Sequence, residues 1–492
     1  FSLVTALYHF NGSNGAQNNT FLDSSSNGFT VTRNGDTTQG SFSPFSADEG
    51  KWSASFDGTD DYLQIADSSD LEIASSEFTM ECWFFQHADS GSGSDSHTLL
   101  SKWDNDGRKE FILRITENSS NQVLHWLSSS DGSTNDANFY GNTVITNNEW
   151  HHAAATRDSS NTIRLFLDGV LQSSTASQSS TYTGTHEFMI GANGTSGVQQ
   201  YMDGSISNAR FIKGTALYTS NFSPSTSPLT AVTNTKLLTS CSNRFRDKST
   251  SAHTITPVST PKIQPFSPFA PSSSYSAATK GGSGFFDGSG DYLTVPTSDD
   301  FAFGTGDYTI EAWVYKTTTG QEHIYEGRDG GNTNRILFYV NSANKLANYI
   351  NASVKGAATS DFPLNSWVHV ALVRSGTTGY MFQNGTQVAT WTGDSTDIAK
   401  PNATLYIGSD NSGSNYFWEG SISSLRVLKG TALYTSAFTP PTAPSTAITN
   451  TKLLLNFTNA AIFDQTGKTN IKTGGNAQLD TSVKKFGTAS YE

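Results

Sequence analysis

The sequence predicts an all-β chain built as tandem antiparallel β-sandwiches, and three observations point there. Residues 203–222 (DGSISNARFIKGTALYTSNF) return at 419–438 (EGSISSLRVLKGTALYTSAF) with 14 of 20 positions identical, and FDGTDDYL at 56–63 returns as FDGSGDYL at 286–293. Self-similarity at a long period means one structural unit used more than once. Between the repeats lie short β-branched and aromatic runs set apart by turn residues, and no segment longer than a turn or two has helical periodicity. A chain of 492 residues is too long for one core.

Taken in order, each element has a counterpart. LVTALYHF at 3–10 reads as an apolar opening strand, followed by a turn at Asp23-Ser24-Ser25. The same opening returns as Leu237-Leu238 with Asp247-Lys248-Ser249, and again as KLLLNF at 452–457 with Asp464-Gln465-Thr466-Gly467. FSPF at 42–45 is matched at 266–269, and the intervening Pro/Ser-rich stretch 257–274 reads as a surface connection. FTMECWFF at 78–85 matches YTIEAWVY at 308–315, with a Glu at the same place. Runs 98–103, 110–116 and 122–128 alternate and continue the sheet. WHHAAATR at 150–157 matches WVHVALVR at 367–374. Each is followed by a hairpin with Asp168-Gly169 or Asn384-Gly385 at its tip, a strong short-range hairpin signal. These matches divide the chain at 1–232 and 233–448, with 449–492 as the opening of a third repeat that stops at Tyr491-Glu492. The opening strands 237–241 and 452–457 are candidates to close the first and second sandwich. With Phe1 in place of a start Met or a leader, the chain reads as a piece of something longer.

Composition excludes several classes. Only 15% of residues are charged and the net charge is -13, so no basic stripe is present to meet a nucleic-acid backbone. No apolar run approaches the roughly 18 residues that span a bilayer. The cysteines Cys82 and Cys241 align with Ala312 and Phe457, which predicts two separate buried thiols rather than a bridge.

The series of opening strand, Asp-Ser turn, FDG-x-x-DYL, Trp-bearing strand, W-x-H and D/N-G hairpin resembles the laminin-G-like, concanavalin-A-like jelly-roll domain. The closing R-x-x-K-G-T-A-L-Y-T-x-x-F-x-P, at 210–224 and 426–440, is similar to a branch found as tandem modules in virion structural and tail-fibre proteins of marine phages, including those of cyanobacteria. The resemblance implies calcium held by loop carboxylates, for which Asp57, Asp61 and Asp203 and their counterparts Asp287, Asp291 and Glu419 are the candidates. The competing reading is that Asp57 and Asp61 bind backbone amides around a glycine turn.

Glycan binding would need exposed aromatics as stacking platforms. Trp83/Trp313 and Trp150/Trp367 recur and read as core, whereas Trp103, Tyr140, Trp391, Tyr416 and Trp418 lie in loop-like contexts. Glycoside hydrolysis on this fold needs paired carboxylates, and the nearest string, Glu72 to Glu77, lacks the central Asp and precedes a strand. His151-His152 offers one recurring histidine, His152 matching His369, which reads as a structural residue beside a Trp. The block KGTALYT reads as a clamp whose Leu and Tyr pin the exit loop to the sandwich. The resulting expectation is a non-enzymatic structural or adhesive segment of a long phage fibre. Its partners would be other virion subunits and host-surface glycans, with no nucleic acid and no membrane insertion. A secreted or cell-surface bacterial adhesin or lectin is the alternative, and a glycoside hydrolase stands third.

Overall fold

The computed structural model describes residues 17–45, 50–90, 95–104, 107–195, 197–265, 267–269, 276–328, 335–402, 404–459, 479–480 and 490–491. The expected strand at 3–10 and the Asp464 turn lie outside the described residues. Two compact units emerge: residues 48–271, and residues 3–47 together with 272–492.

Each unit packs two antiparallel sheets on one core. In the first, a seven-stranded sheet runs Thr256–Val258, Tyr62–Ile65, Phe188–Ile190, His97–Lys102, Phe111–Asn118, Asn121–Ser128, Ala137–Tyr140. Its partner sheet runs Val170–Ser177, Thr162–Leu167, Trp150–Arg157, Phe78–Gln86, Asp203–Lys213, Ser53–Asp57, Lys262–Gln264, with Thr235–Thr239 also paired to Asp203–Lys213. The second unit repeats this order strand for strand, and Thr451–Leu455 pairs with Glu419–Lys429 as Thr235–Thr239 does in the first. The all-β sandwich expectation holds, and both opening strands close the sandwiches they were expected to close.

Period-two alternation explains why these segments are strands. Phe78, Met80, Cys82 and Phe84 enter the core of the first unit, while Tyr308, Ile310, Ala312 and Val314 enter that of the second. Cys82 therefore occupies the slot of an alanine. Cys82 and Cys241 are both buried and not bridged. At the hairpin tips Leu167 pairs with Val170 and Gln383 with Thr386. Asp168, Gly169, Asn384 and Gly385 all have positive φ there, as the tight two-residue turn requires.

The repeated exit block has a structural reason. Glu81 lies on the outward side of its sheet, buried, and accepts from Arg210 Nε at 2.8 Å and from the Tyr218 hydroxyl at 3.0 Å, with His152 Nε2 at 3.1 Å. Glu311 repeats this with Arg426 at 2.7 Å, Tyr434 at 2.8 Å and His369 at 3.2 Å. Burial raises each carboxyl's pKa, but the histidine and arginine outweigh it and hold the group below its usual range. Tyr218 stacks on Phe222, and Tyr434 on Phe438, at 3.6 Å. The exit chain thus roofs a buried charge, and KGTALYT is the roof.

The unit boundaries depart from 1–232 and 233–448, because each sandwich is completed by an opening that precedes the other repeat. Residues 256–264 finish the first unit and residues 32–40 the second. Their seating is equivalent: Thr256 pairs with Gln64 as Thr32 pairs with Thr294, and Lys262 with Ser55 as Thr38 with Phe285. The FSPF segments close the series, Phe269 edge-on to Trp83 at 5.8 Å and Phe45 edge-on to Trp313 at 6.0 Å.

Candidate functional site

The outward face of each seven-stranded sheet carries a tyrosine held in a fixed pose. In the first unit Asn121–Ser128 alternates, so Leu124 and Trp126 enter the core and His125 points out. Tyr140, 37% exposed, stacks on that imidazole at 4.0 Å and 11°. Arg114 Nε donates to His125 Nδ1 at 3.0 Å, so Nε2 carries the proton shared with Asn138 Oδ1 at 2.8 Å. Burial, and then the Arg114 charge, push the His125 pKa down to about 4, so the ring is neutral. Arg114 Nη1 also donates to Gln200 at 2.8 Å.

In the second unit Tyr416, 47% exposed, stacks on buried His323 at 4.8 Å and 21°. His323 Nδ1 faces Glu326 at 3.1 Å, and Arg328 and Arg335 meet the same carboxylate at 2.8 and 3.0 Å. The Arg335 guanidinium lies over the Tyr349 ring at 5.1 Å. Tyr416 holds the backbone place of Gln200. His323 N donates to Tyr416 O as Thr98 N donates to Gln200 O, and both residues have positive φ. The two faces are therefore related in plan and different in side chains.

At one rim of each face lies the acidic turn. Tyr62 and Tyr201 sit 6.4 Å apart beside it in the first unit, and Tyr292 and Phe417 6.3 Å apart in the second. A surface pocket in the first unit is lined by Gly58, Asp95, Ser96, Gln199, Gln200 and Tyr201.

A family model described as the concanavalin A-like lectin/glucanases superfamily matches residues 57–217 and 287–434, one match in each sandwich. The chain belongs to this superfamily. Among curated proteins no sequence matches it. Solved structures it resembles include domains LG4-5 of the mouse laminin alpha1 chain, 12% identical over 83% of this chain and 96% of that one, with a TM-score of 0.25. A SAP-like pentraxin from Limulus polyphemus is 15% identical over 34% of this chain and 77% of that one, TM-score 0.27. The CBM40 of a Ruminococcus gnavus IT-sialidase, bound to alpha2,3 sialyllactose, is 16% identical over 27% and 80%, TM-score 0.24.

Within this concanavalin A-like frame the five expected platform residues separate. Tyr140 and Tyr416 are exposed. Trp103 and Trp418 are not: both are buried, Trp103 against Ile112 and Leu127, Trp418 in the core of the second unit with Lys316 near its ring. Trp391 is half-buried over Gly379, its Nε1 bound to Asp394 at 3.1 Å. The three tryptophans are packing residues: Trp391 ends the strand Thr386–Trp391, and Trp103 and Trp418 are enclosed by apolar neighbours. His125, His323, Arg114, Arg335 and Glu326 were missed. The sequence signal of Arg114, His125, His323 and Glu326 is a polar residue inside an apolar strand, and Arg335 stands just before the strand Ile336–Val340.

Four of the six acidic candidates sit in two glycine turns, and Asp203 and Glu419 begin the strands that pair with them. Asp57 Oδ1 accepts from Thr59 N at 2.8 Å, and Asp61 accepts from Asp57 N at 3.2 Å and Thr260 N at 2.7 Å. Asp60 joins them, the three carboxylates lying within 4.8 Å of one another. In the second unit Asp291 accepts from Asp287 N at 3.1 Å and from Asp36 N, and Gly290 stands where Asp60 was. Asp203 faces His87 at 3.1 Å, and Glu419 takes the hydroxyls of Thr317 and Thr318. The bonds of Asp57, Asp61 and Asp291 to backbone amides are turn chemistry, while those of Asp203 and Glu419 reach side chains just past the strands Phe78–Gln86 and Tyr308–Lys316. His151 and His152 diverge, one to Asp168 at 2.7 Å and the other to Glu81. Glu72 and Glu77 lie between a 3-10 turn and the strand Phe78–Gln86.

Proposed function

We propose that the chain is a non-enzymatic, glycan-binding adhesive segment of a longer fibre, a virion component that meets sugars on a host surface. The observation that carries this reading is the exposed tyrosine stacked on a buried imidazole beside an arginine, once per sandwich. A sugar ring offers an apolar C–H face to an aromatic plane and hydroxyls to planar donors and acceptors, and this arrangement presents both. Tandem units with different side chains on the same face favour multivalent adhesion, since two weak sites on one chain bind a dense surface far better than either alone. The fibre and virion context rests on the tandem repeats and on the exit-block resemblance.

The test is a glycan array read with the full chain, the double variant Tyr140→Ala/Tyr416→Ala, and Tyr140→Phe/Tyr416→Phe. The reading expects at least one glycan class bound by the parent chain, lost in the alanine pair and kept in the phenylalanine pair. Binding that survives the alanine pair, or no glycan bound at all, rules it out.

A further inference from the structure

We infer that residues 17–45 are an exchangeable donor segment, through which a second copy of this chain completes the second sandwich and copies join head to tail. The first sandwich is finished by chain that follows its own last strand. The second is finished by chain from the opposite end of the sequence, and the two donors sit alike atom for atom. Asp247 accepts from Leu238 N at 2.9 Å and from Ser249 N at 2.8 Å, and Asp23 accepts from Leu454 N at 3.0 Å and Ser25 N at 2.8 Å. Ser249 Oγ reaches Lys236 O at 3.0 Å and Ser25 Oγ reaches Lys452 O at 3.2 Å. Lys248 N and Ser24 N each donate at 2.8 Å, to Leu238 O and Leu454 O.

The contacts that seat the second donor on its sandwich cross between segments joined only through the whole of the first unit. Nothing in those contacts distinguishes a donor from the same chain from one belonging to a second copy. An element exchanged under such conditions keeps all its contacts and changes only the path of its linker, so exchange is governed by concentration. The sheet edges it covers, Tyr292–Pro296 and Ser283–Asp287, need a strand beside them. The sequence also supplies a competitor: Asp464-Gln465-Thr466-Gly467 follows KLLLNF much as Asp247-Lys248-Ser249 follows Leu237-Leu238. A chain with two candidate donors for one sandwich has one to spare for a neighbour.

The experiment uses the paired positions Thr32 and Thr294 in the full chain. Thr32→Cys and Thr294→Cys are made separately and together, mixed, incubated over a range of protein concentrations, oxidised, and read by non-reducing electrophoresis with mass spectrometry of the linked peptides. The double variant is expected to close within one chain when dilute, since directly opposed strand residues suit a disulfide. The mixed single variants are expected to give a 32–294 crosslinked dimer that grows with concentration and exceeds the 32–32 dimer several-fold. A double variant that closes only within its own chain at every concentration, with mixed dimers no commoner than 32–32 collisions, overturns the inference. Failure of the double variant to crosslink at all overturns it as well, because the seating itself would then be wrong. Neither result bears on glycan binding.

Discussion

The Asp23 carboxylate accepts the backbone N–H of Leu454, 431 residues away, where Asp247 accepts that of Leu238 from nine residues away. One interaction is local and the other spans almost the whole chain, yet the atoms and geometry agree. Substitution of either aspartate should therefore unfasten one sandwich only. Asp23→Ala is expected to destabilise the second unit and Asp247→Ala the first, each by about 1–3 kcal/mol for the amides left without an acceptor. Calorimetry with amide exchange at Leu454 and Leu238 separates the effects. If Asp23→Ala lowers protection at Leu238 as much as at Leu454, the segment does not belong to the second unit.

The roofed carboxylates predict an unequal pair of effects. Glu81→Gln leaves Arg210 buried without its counter-charge and should cost roughly 3–5 kcal/mol. Tyr218→Phe removes one hydrogen bond to the charged carboxylate and keeps the ring stacked on Phe222, so a smaller loss of about 1.5–3 kcal/mol is expected. Urea midpoints at constant slope would read both. Equal losses would mean that the exit block is held by the hydroxyl and not by the charge beneath it.

Asp291 gives a pH dependence with a definite sign. Burial lifts its pKa to about 6, against the bond from the Asp287 amide and with the Asp287 charge adding to the rise. Between about 4, the value in an unfolded chain, and about 6, the folded protein holds a proton that the unfolded chain has released. The second unit should accordingly lose stability as pH rises through that window and level off above it. Asp291→Asn removes the titration but keeps an acceptor for only one of the two amides, Asp36 N or Asp287 N, a loss that does not vary with pH. The difference between the melting temperatures of the parent and Asp291→Asn should change across the window and stay constant above it. A difference that is flat throughout would refute the assignment.

What was legible in the sequence is what local chemistry dictates. Alternation fixed the strands from Phe78 and Tyr308, and the Asp168-Gly169 and Asn384-Gly385 tips announced their turns. The exchange of openings was hidden for a physical reason. Thr32–Asn34 and Thr256–Val258 are three-residue strands seated on equivalent strands of the two sandwiches, too short for their sequences to name the partner. Trp103 and Trp418 looked like loop residues because they flank the strands His97–Lys102 and Glu419–Lys429, and only Trp418 is buried largely by chain distant in sequence. The stacking of Tyr140 on His125 and of Tyr416 on His323 joins residues on different strands, and neither partner marks the other in sequence.

The sharpest test of the exit clamp is a single methyl group. Gly385 has φ +78, and a Cβ there would lie 1.8 Å from the carbonyl oxygen of Phe438, whose own N–H donates to Gly385 O at 3.0 Å. Alanine at 385 has to push the exit chain off the hairpin tip. Phe438 carries the stack on Tyr434, and Tyr434 carries the bond to Glu311, so the displacement reaches the buried charge. Gly376 is the control: its φ is +58 and no atom lies within 4 Å of where its Cβ would be. Gly376→Ala should cost only the left-handed backbone term of about 1–2 kcal/mol. Gly385→Ala should cost that and about 1–3 kcal/mol more for the overpacking. Amide exchange should show the excess as lost protection at the Phe438 N–H. If the two variants melt together and Phe438 stays protected in both, the exit block is not clamped at the hairpin tip.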